Sequence, residues 1–248
     1  MSTLTRKIDR SNFSIEFHLL GRIDFDACLA LQQRLVYESS SRADGRIDVL
    51  LCEHPDLITV GRSGSRAHIR LSDDELWRRQ LSIRWVTRRG PCVLHSPGQL
   101  AIYPIVPLHW HGLTVLEFTS LFQSALVETL RLLKVQTETC TERFGISGRT
   151  GQLASFGVSV RQGVTMHGAF LNVGPQMKHY GYIDVIPRHE LEPRQKSTMS
   201  CLLAERRRPV TMPEVRATLI AEVARSFDCE RYHLHTGHPF LLQEASCA

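Results

Sequence analysis

The residues best suited to chemistry lie in the stretch Arg88–Leu108, RRGPCVLHSPGQLAIYPIVPL. His95 stands between Gly90 and Gly98, which permit backbone turns and close approaches that other residues resist. Residues 99–106 are β-branched, aromatic and apolar, a pattern typical of a buried strand. A glycine-rich loop that leads into a rigid strand presents an imidazole and free amides to a ligand. The alternative interpretation is an ordinary loop with a structural histidine.

Two other stretches carry groups that can contact a ligand. His167-Gly168-Ala169 places an imidazole beside a residue without a side chain, so a ligand or another backbone can approach closely. Gly61-Arg62-Ser63-Gly64 follows an apolar strand and offers free amides and a guanidinium to a carboxylate or phosphate. A plain turn with an exposed arginine explains the second stretch equally well.

Three histidines near the C-terminus raise the possibility of a metal centre. His233 and His235 form an HxH pair, which on a strand points to one side, and His238 follows closely. No carboxylate or cysteine obviously completes this set. We therefore predict no metal ion and no cofactor.

The elements that position these groups follow from apolar periodicity and turn residues. The two longest helices each begin with a capping box, Thr114 with Glu117 and Thr211 with Glu214. The predicted strands are 13–20, 48–52, 57–60, 82–87, 99–106, 153–160 and 164–173. The predicted helices are 24–40, 73–80, 114–134, 211–228 and a short one that opens at 197–198.

Composition limits the class of protein. The chain has 248 residues, 42% of them apolar, and a net charge of +5 that comes mainly from arginine. This suits one globular domain, and the scattered charge does not favour nucleic-acid binding. No run reaches membrane-spanning length, the first residues lack the apolar core of a signal peptide, and the seven cysteines include no CxxC pair. We expect a cytoplasmic protein with reduced thiols that binds no membrane.

Four ordered motifs make the chain similar to a known family. EHPDLITVGRSG (53–64), RRGPCVLHSPGQLAIYPI (88–105), LASFGVSV (153–160) and VTMHGAFLNV (164–173) resemble the octanoyltransferases of lipoate biosynthesis, within the biotin and lipoate protein ligase fold. The resemblance implies an α/β (α+β) architecture with a mixed central sheet flanked by helices. It implies a single domain over 1–248, with motifs within 13–205 and a helical C-terminal extension at 206–248.

Enzymes of this family take an octanoyl group from acyl carrier protein and pass it to a lysine. The acceptors are lipoyl domains of 2-oxoacid dehydrogenases or the glycine cleavage H protein, and the resemblance implies the same partners here. The acyl-binding residues implied by the resemblance are Arg88, Arg89, Gly90, Pro91, Cys92, Val93, Leu94, His95, Ser155, Phe156, Gly157, His167, Gly168 and Ala169. Arg89 and Ser96 replace glycines of the family motif.

The two residues that carry out the family's chemistry, a cysteine and a lysine, are replaced in this chain. Its acyl-accepting cysteine corresponds to Arg188, and the lysine that lowers the pKa of this cysteine corresponds to Gln152. Neither a guanidinium nor an amide is a nucleophile at neutral pH, so the usual two-step transfer cannot use these positions.

Two interpretations of the function remain open beside the metal centre considered above. In the first, the chain is an acyltransferase with Cys201 as a relocated nucleophile, in the first turn of the helix opened at 197–198, or with Cys92 as a second choice. A direct transfer is also possible, with a proton moved by His95, His167 or His189. In the second, the chain binds the acyl group or the lipoyl domain without turnover.

Overall fold

The computed structural model describes residues 13–42, 44–140, 145–184, 198–206, 209–229 and 231–241. Within these ranges the chain forms eleven strands, six α-helices and two short 3₁₀ helices. The strands are β1 Ile15–Arg22, β2 Ile47–Glu53, β3 Leu57–Val60, β4 Ser82–Trp85, β5 Cys92–His95, β6 Gln99–Ile105, β7 Glu138–Cys140, β8 Gly145–Ser147, β9 Gln152–Arg161, β10 Val164–Asn172 and β11 Tyr232–Thr236. The α-helices are α1 Phe25–Ser41, α2 Asp73–Arg78, α3 Leu108–His111, α4 Val115–Leu132, α5 Leu202–Glu205 and α6 Met212–Ser226, and the 3₁₀ helices are Arg66–His68 and Met177–Tyr182.

Eight strands form the large mixed sheet, in the order β11-β1-β2-β6-β10-β9-β8-β7. β11 and β2 pair parallel with β1, and the remaining pairs are antiparallel. The fold class expected from the resemblance is therefore confirmed. The C-terminal region is only partly helical, because β11 adds an edge strand to this sheet.

The two faces of the large sheet carry separate apolar cores. On one face α4 and α6 pack over β6, β9 and β10, with Phe118, Phe122 and Leu219 among the buried side chains. On the other face α1 packs through Leu31 and Leu35. Alternation along the strands divides their side chains between these cores, as the pleat of a sheet requires.

A second sheet of three strands, in the order β4-β3-β5, was not predicted as a unit. β3 pairs antiparallel with β5, so residues 92–95 form a strand where the sequence suggested a loop. The turns on either side of β5 use the two glycines predicted to permit them, with a positive φ of +91° at Gly90 and +90° at Gly98. This sheet fixes the position of His95.

The long helices begin where their capping boxes predict. Thr114 and Thr211 each accept a hydrogen bond from the backbone N–H three residues on, and Glu117 and Glu214 bond back to the cap residue. In the part of the chain that the structure describes, no helix is both long and apolar enough to cross a membrane.

Close approach between β10 and β6 requires a glycine at position 168. A Cβ atom built there would lie 2.0 Å from the Ile102 carbonyl oxygen and 2.8 Å from Cδ of Pro104. We expect Gly168→Ala to lower the free energy of unfolding by about 2–3 kcal/mol, because buried backbone must shift. Urea unfolding measures this.

Gly181→Ala is the matched control for that substitution. A Cβ atom at Gly181 meets nothing within 4 Å, so we expect this variant to unfold within about 0.5 kcal/mol of the unmodified chain. Equal stability of the two variants would contradict the close approach.

Candidate functional site

Three of the segments implied by the resemblance lie together in the fold. β9 and β10 pair so that Gly157 lies opposite Gly168 and Phe156 opposite Ala169. The loop before β5 covers β9, since a Cβ atom at Gly157 would lie 2.8 Å from the Arg89 carbonyl oxygen. Residues distant in sequence thereby form one continuous surface around the side chain of Arg88.

Arg88 is a buried cation, with 1% of its surface exposed. Its Nη2 donates to the carbonyl and hydroxyl oxygens of Thr59, both at 2.9 Å, and Nη1 donates to the Arg89 carbonyl. Nε has no hydrogen-bond partner, and no carboxylate of the described residues forms an ion pair with this guanidinium. Burial lowers the pKa of Arg88 to about 10, so it remains charged at neutral pH.

His95 lies at the end of strand β5, whereas the sequence predicts it in a loop that presents its ring to a ligand. It is fully buried, and both ring nitrogens are engaged: Nδ1 lies 3.0 Å from Gln99 Oε1 and Nε2 lies 2.9 Å from the Thr59 hydroxyl. The amide oxygen of Gln99 can only accept, so Nδ1 carries the proton and Nε2 accepts from Thr59. Burial first, then the nearby His54 and Arg88, hold the pKa of His95 well below its usual range. His95 is therefore a structural imidazole, without a nitrogen free for a ligand.

The hydrogen bonds of His95 continue into a buried polar network. The Gln99 amide nitrogen lies 3.0 Å from Asn172 Oδ1 and 2.9 Å from the Tyr180 hydroxyl. Tyr180 donates to Asn172 Oδ1 at 2.6 Å, and Asn172 Nδ2 donates to the Ser200 carbonyl at 3.0 Å. This network links the core of the small sheet to residues 198–202.

His167 is buried, with 1% of its surface exposed, and belongs to the lining of a cavity. It lies in β10 with φ of +59°, and its backbone N–H donates to Gln32 Oε1 at 3.0 Å. No described residue forms a hydrogen bond with its ring nitrogens, and the ring borders a cavity. Burial, followed by the charge of Arg88, lowers the pKa of His167 to about 4, so the ring is neutral at pH 7.

The cavity beside His167 has a volume of ≈ 390 Å³. This lies in the range of small-molecule sites. Its lining is Leu29, Gln33, Arg62, Trp85, Val86, Thr87, Ser159, Val160, Arg161, Met166 and His167. Of the predicted acyl-binding residues only His167 borders it, and two of the other lining residues, Thr87 and Met166, directly adjoin the predicted segments. Arg62 was noted in the sequence as a possible anion ligand, whereas Leu29 and Gln33 gave no signal because they belong to α1.

Gln152 is half-buried at the start of β9. Its amide nitrogen donates to the Ala154 carbonyl at 3.1 Å and to the Ser155 hydroxyl at 3.0 Å. Its backbone exchanges hydrogen bonds with Thr198 and Ser200. Gln152 therefore fastens residues 198–200 to the large sheet. Arg188 and His189 lie outside the described residues.

The prediction for Cys201 was wrong in its local structure. The helix begins at Leu202, spans four residues, and has Cys201 as its N-cap without a side-chain capping bond. The thiol is buried, at 5% exposure, and so short a helix offers little dipole to favour a thiolate. Cys92 is no better placed, because burial raises the pKa of its thiol.

The C-terminal histidines do not assemble as the metal alternative required. His235 Nε2 lies 2.7 Å from Glu16 Oε2, and its ring stacks on His18. Among the described residues, the one group of three side chains with metal-ligand spacing is Cys28, Cys52 and His54, on the α1 side of the large sheet.

Comparison with known proteins identifies a matching family model and similar sequences. Residues 24–224 match the family model of the lipoyl protein ligase A/B catalytic domain. An octanoyltransferase of Acidobacterium capsulatum is 34% identical over 179 residues, 66% of this chain and 72% of the relative. An octanoyltransferase of Syntrophobacter fumaroxidans is 29% identical over 214 residues, 84% of this chain and 89% of the relative.

Solved structures share the fold at low sequence identity. The bipartite lipoate protein ligase of Thermoplasma acidophilum, studied with its E2 lipoyl domain, superimposes with a TM-score of 0.70 at 15% identity, over 94% of this chain and 91% of that one. A lipoate-protein ligase A bound with ATP gives the same score and identity over 93% of both chains.

Proposed function

Because the chain belongs to the lipoyl protein ligase A/B catalytic domain family, we propose that it transfers an octanoyl or lipoyl group to a lysine of a lipoyl domain. The observation that supports this most directly is the cavity beside His167, whose lining also includes Thr87, next to the segment 88–95, and Ser159, two residues after the segment 155–157. Leu29, Val86 and Met166 supply apolar contacts for an acyl chain. Acyl carrier protein is the proposed donor.

The proposed chemistry is a direct transfer. The amine of the incoming lysine attacks the carbonyl carbon of the acyl thioester, the C–N bond forms, the C–S bond breaks, and the thiolate leaves. Holding the two reactants in contact supplies as much as ~7–11 kcal/mol by proximity. His167 takes the proton that the attacking nitrogen loses and passes it to the leaving thiolate, because a ring with a pKa of about 4 is neutral at pH 7 but too weak a base to keep the proton.

Three arginines contribute charge to this route. Arg88 is a permanent cation behind β9, placed to favour negative charge that develops on the carbonyl oxygen. Arg62 and Arg161 are exposed on the cavity's rim, where they suit the phosphate or carboxylates of an acidic donor.

Intact-mass spectrometry after incubation with octanoyl carrier protein and a lipoyl domain tests the proposal. We expect the lipoyl domain to gain an octanoyl group and this chain to carry no adduct. A hydroxylamine-labile adduct that disappears in Cys201→Ala would show transfer through the relocated nucleophile and contradict direct transfer.

We expect His167→Gln to reduce the transfer rate by about 10²-fold. His109→Gln, at an exposed histidine, is the control and leaves the rate unchanged.

Gln152 favours a second candidate function. Its amide is neutral and already bonded to Ala154 and Ser155, so it cannot activate a thiol as a lysine would. A chain that binds the carrier or the lipoyl domain without turnover does not need the positive charge that a lysine would carry at position 152. Saturable binding of octanoyl carrier protein, with no octanoylated product after prolonged incubation, would support that function over transfer.

A further inference from the structure

Three side chains that the proposed transfer does not use converge in the core beneath α1. Cys28 projects from α1, Cys52 lies near the end of β2, and His54 follows it in the chain. All three are at most 1% exposed. Their ligand atoms lie within 4.8 Å of one another, with Sγ···Sγ at 3.9 Å and Cys52 Sγ to His54 Nε2 at 3.6 Å.

These distances are close to the edges of a zinc coordination tetrahedron. Zn–S bonds of about 2.3 Å and Zn–N bonds of about 2.05 Å at tetrahedral angles place two sulfurs roughly 3.8 Å apart, and a sulfur and a nitrogen roughly 3.6 Å apart. Two of the three edges therefore fit with little movement. We propose that Cys28, Cys52 and His54 form a buried zinc site.

The surroundings of His54 prepare it as a ligand. Its Nδ1 lies 2.9 Å from the Ile23 carbonyl, which can only accept, so Nδ1 carries the proton and Nε2 presents a lone pair. A backbone carbonyl that fixes the tautomer of a ligating histidine is a common partner in metal sites. The Gln32 amide nitrogen, 3.8 Å from Cys28 Sγ, is placed to donate to a thiolate.

The donor set also suits a site without access to water. Binding is written Zn²⁺ + 2 RSH → Zn(SR)₂ + 2 H⁺, so two thiolates cancel the charge of the ion and no net charge is buried. The Tyr103 hydroxyl donates to His54 Nε2 at 2.8 Å. Zinc would take the place of this hydrogen bond, and the released hydroxyl would offer a neutral oxygen as a fourth ligand. The completed site would tie α1 to β2 and β6 directly behind His95.

Metal content of the full-length chain, prepared without an affinity tag, tests this proposal. Because the cluster is buried, the chain is refolded under reducing conditions with Zn²⁺ and desalted before elemental analysis. We expect about one zinc ion per chain, and a loss of at least about tenfold in Cys28→Ser and in Cys52→Ser. Cys229→Ser, at another buried cysteine, keeps the zinc and is the matched control.

Cobalt gives a second measurement that does not depend on the variants folding. The unmodified chain refolded with Co²⁺ is expected to show thiolate-to-cobalt charge-transfer absorption, whereas cobalt held by histidines and carboxylates lacks it. The proposal is overturned if the refolded chain holds no stoichiometric metal, or if bound cobalt shows no thiolate band. Zinc that is lost in His235→Gln but retained in Cys28→Ser would also overturn it, as would a Cys28–Cys52 disulfide found by peptide mapping under the reducing preparation.

Discussion

Lowering the pH from 7.5 to 5.5 is expected to reduce the free energy of unfolding by well over 1 kcal/mol, because buried imidazoles resist protonation. The pKa of His167 falls from its ordinary value to about 4 in the folded chain. Between these two values the unfolded state binds a proton that the folded state does not, so stability declines as the pH falls. His167 alone accounts for about 1.3 kcal/mol over this interval.

His95 and His54 add to the effect in the same direction. Burial is the largest cause of the lowered pKa in both. Their contributions to stability are complete above the ordinary histidine pKa of about 6.5 and are lost progressively below it. Urea unfolding at pH 7.5, 6.5 and 5.5 measures the total.

His167→Gln separates the contribution of one ring from the rest. We expect this variant to lose less stability on acidification, by up to about 1.3 kcal/mol, because it cannot take up the proton. His109→Gln, at an exposed histidine, is the control variant measured beside it. A stability that stays constant from pH 7.5 to 5.5 would contradict the burial of these imidazoles.

Local signals in the sequence predicted the elements that depend on local physics. Both capping boxes mark helix starts because the cap residue and its partner are three positions apart. The strands at Leu57–Val60, Gln99–Ile105 and Val164–Asn172 follow from short apolar runs bounded by turn residues. The resemblance supplied the expectation of a mixed central sheet flanked by helices.

Features that depend on distant partners were missed. The strand Cys92–His95 exists because it pairs with β3, and β11 because it pairs with β1. Ser197-Thr198 imitates a helix cap, yet the backbone of Thr198 and Ser200 bonds to Gln152 in place of forming a helix.

In the candidate site, too, local signals were predictable from the sequence and contacts between distant residues were not. The sequence predicted segments for the site, but it could not show that His95 has both nitrogens occupied by Thr59 and Gln99. It also could not show that His167 is the ring that borders the cavity. A strand pattern gives the alternation of side chains, while the three-dimensional packing decides which polar group is satisfied and which is left for a ligand.

Asn172→Leu is expected to lower the free energy of unfolding by about 3–5 kcal/mol. Asn172 is fully buried, accepts from Gln99 and Tyr180, and donates to the Ser200 carbonyl. Leucine has similar bulk but no polar atoms, so it leaves the Tyr180 hydroxyl proton and the Ser200 carbonyl without a partner, whereas the Gln99 amide keeps the Leu94 carbonyl and the Tyr180 hydroxyl. Each buried group without a partner costs about 1–3 kcal/mol.

Tyr180→Phe is the matched comparison, since it removes a polar group and leaves Asn172 bonded to Gln99 and Ser200. We expect a loss of about 1 kcal/mol for this variant. Urea unfolding should therefore separate the two variants by at least about 2 kcal/mol.

Acyl transfer should fall further in Asn172→Leu than in Tyr180→Phe, since the release of Ser200 frees the segment that Gln152 and Asn172 together hold against the sheet. Equal stabilities would mean that the network is not continuous through Asn172, and the link between His95 and residues 198–202 would be lost with it.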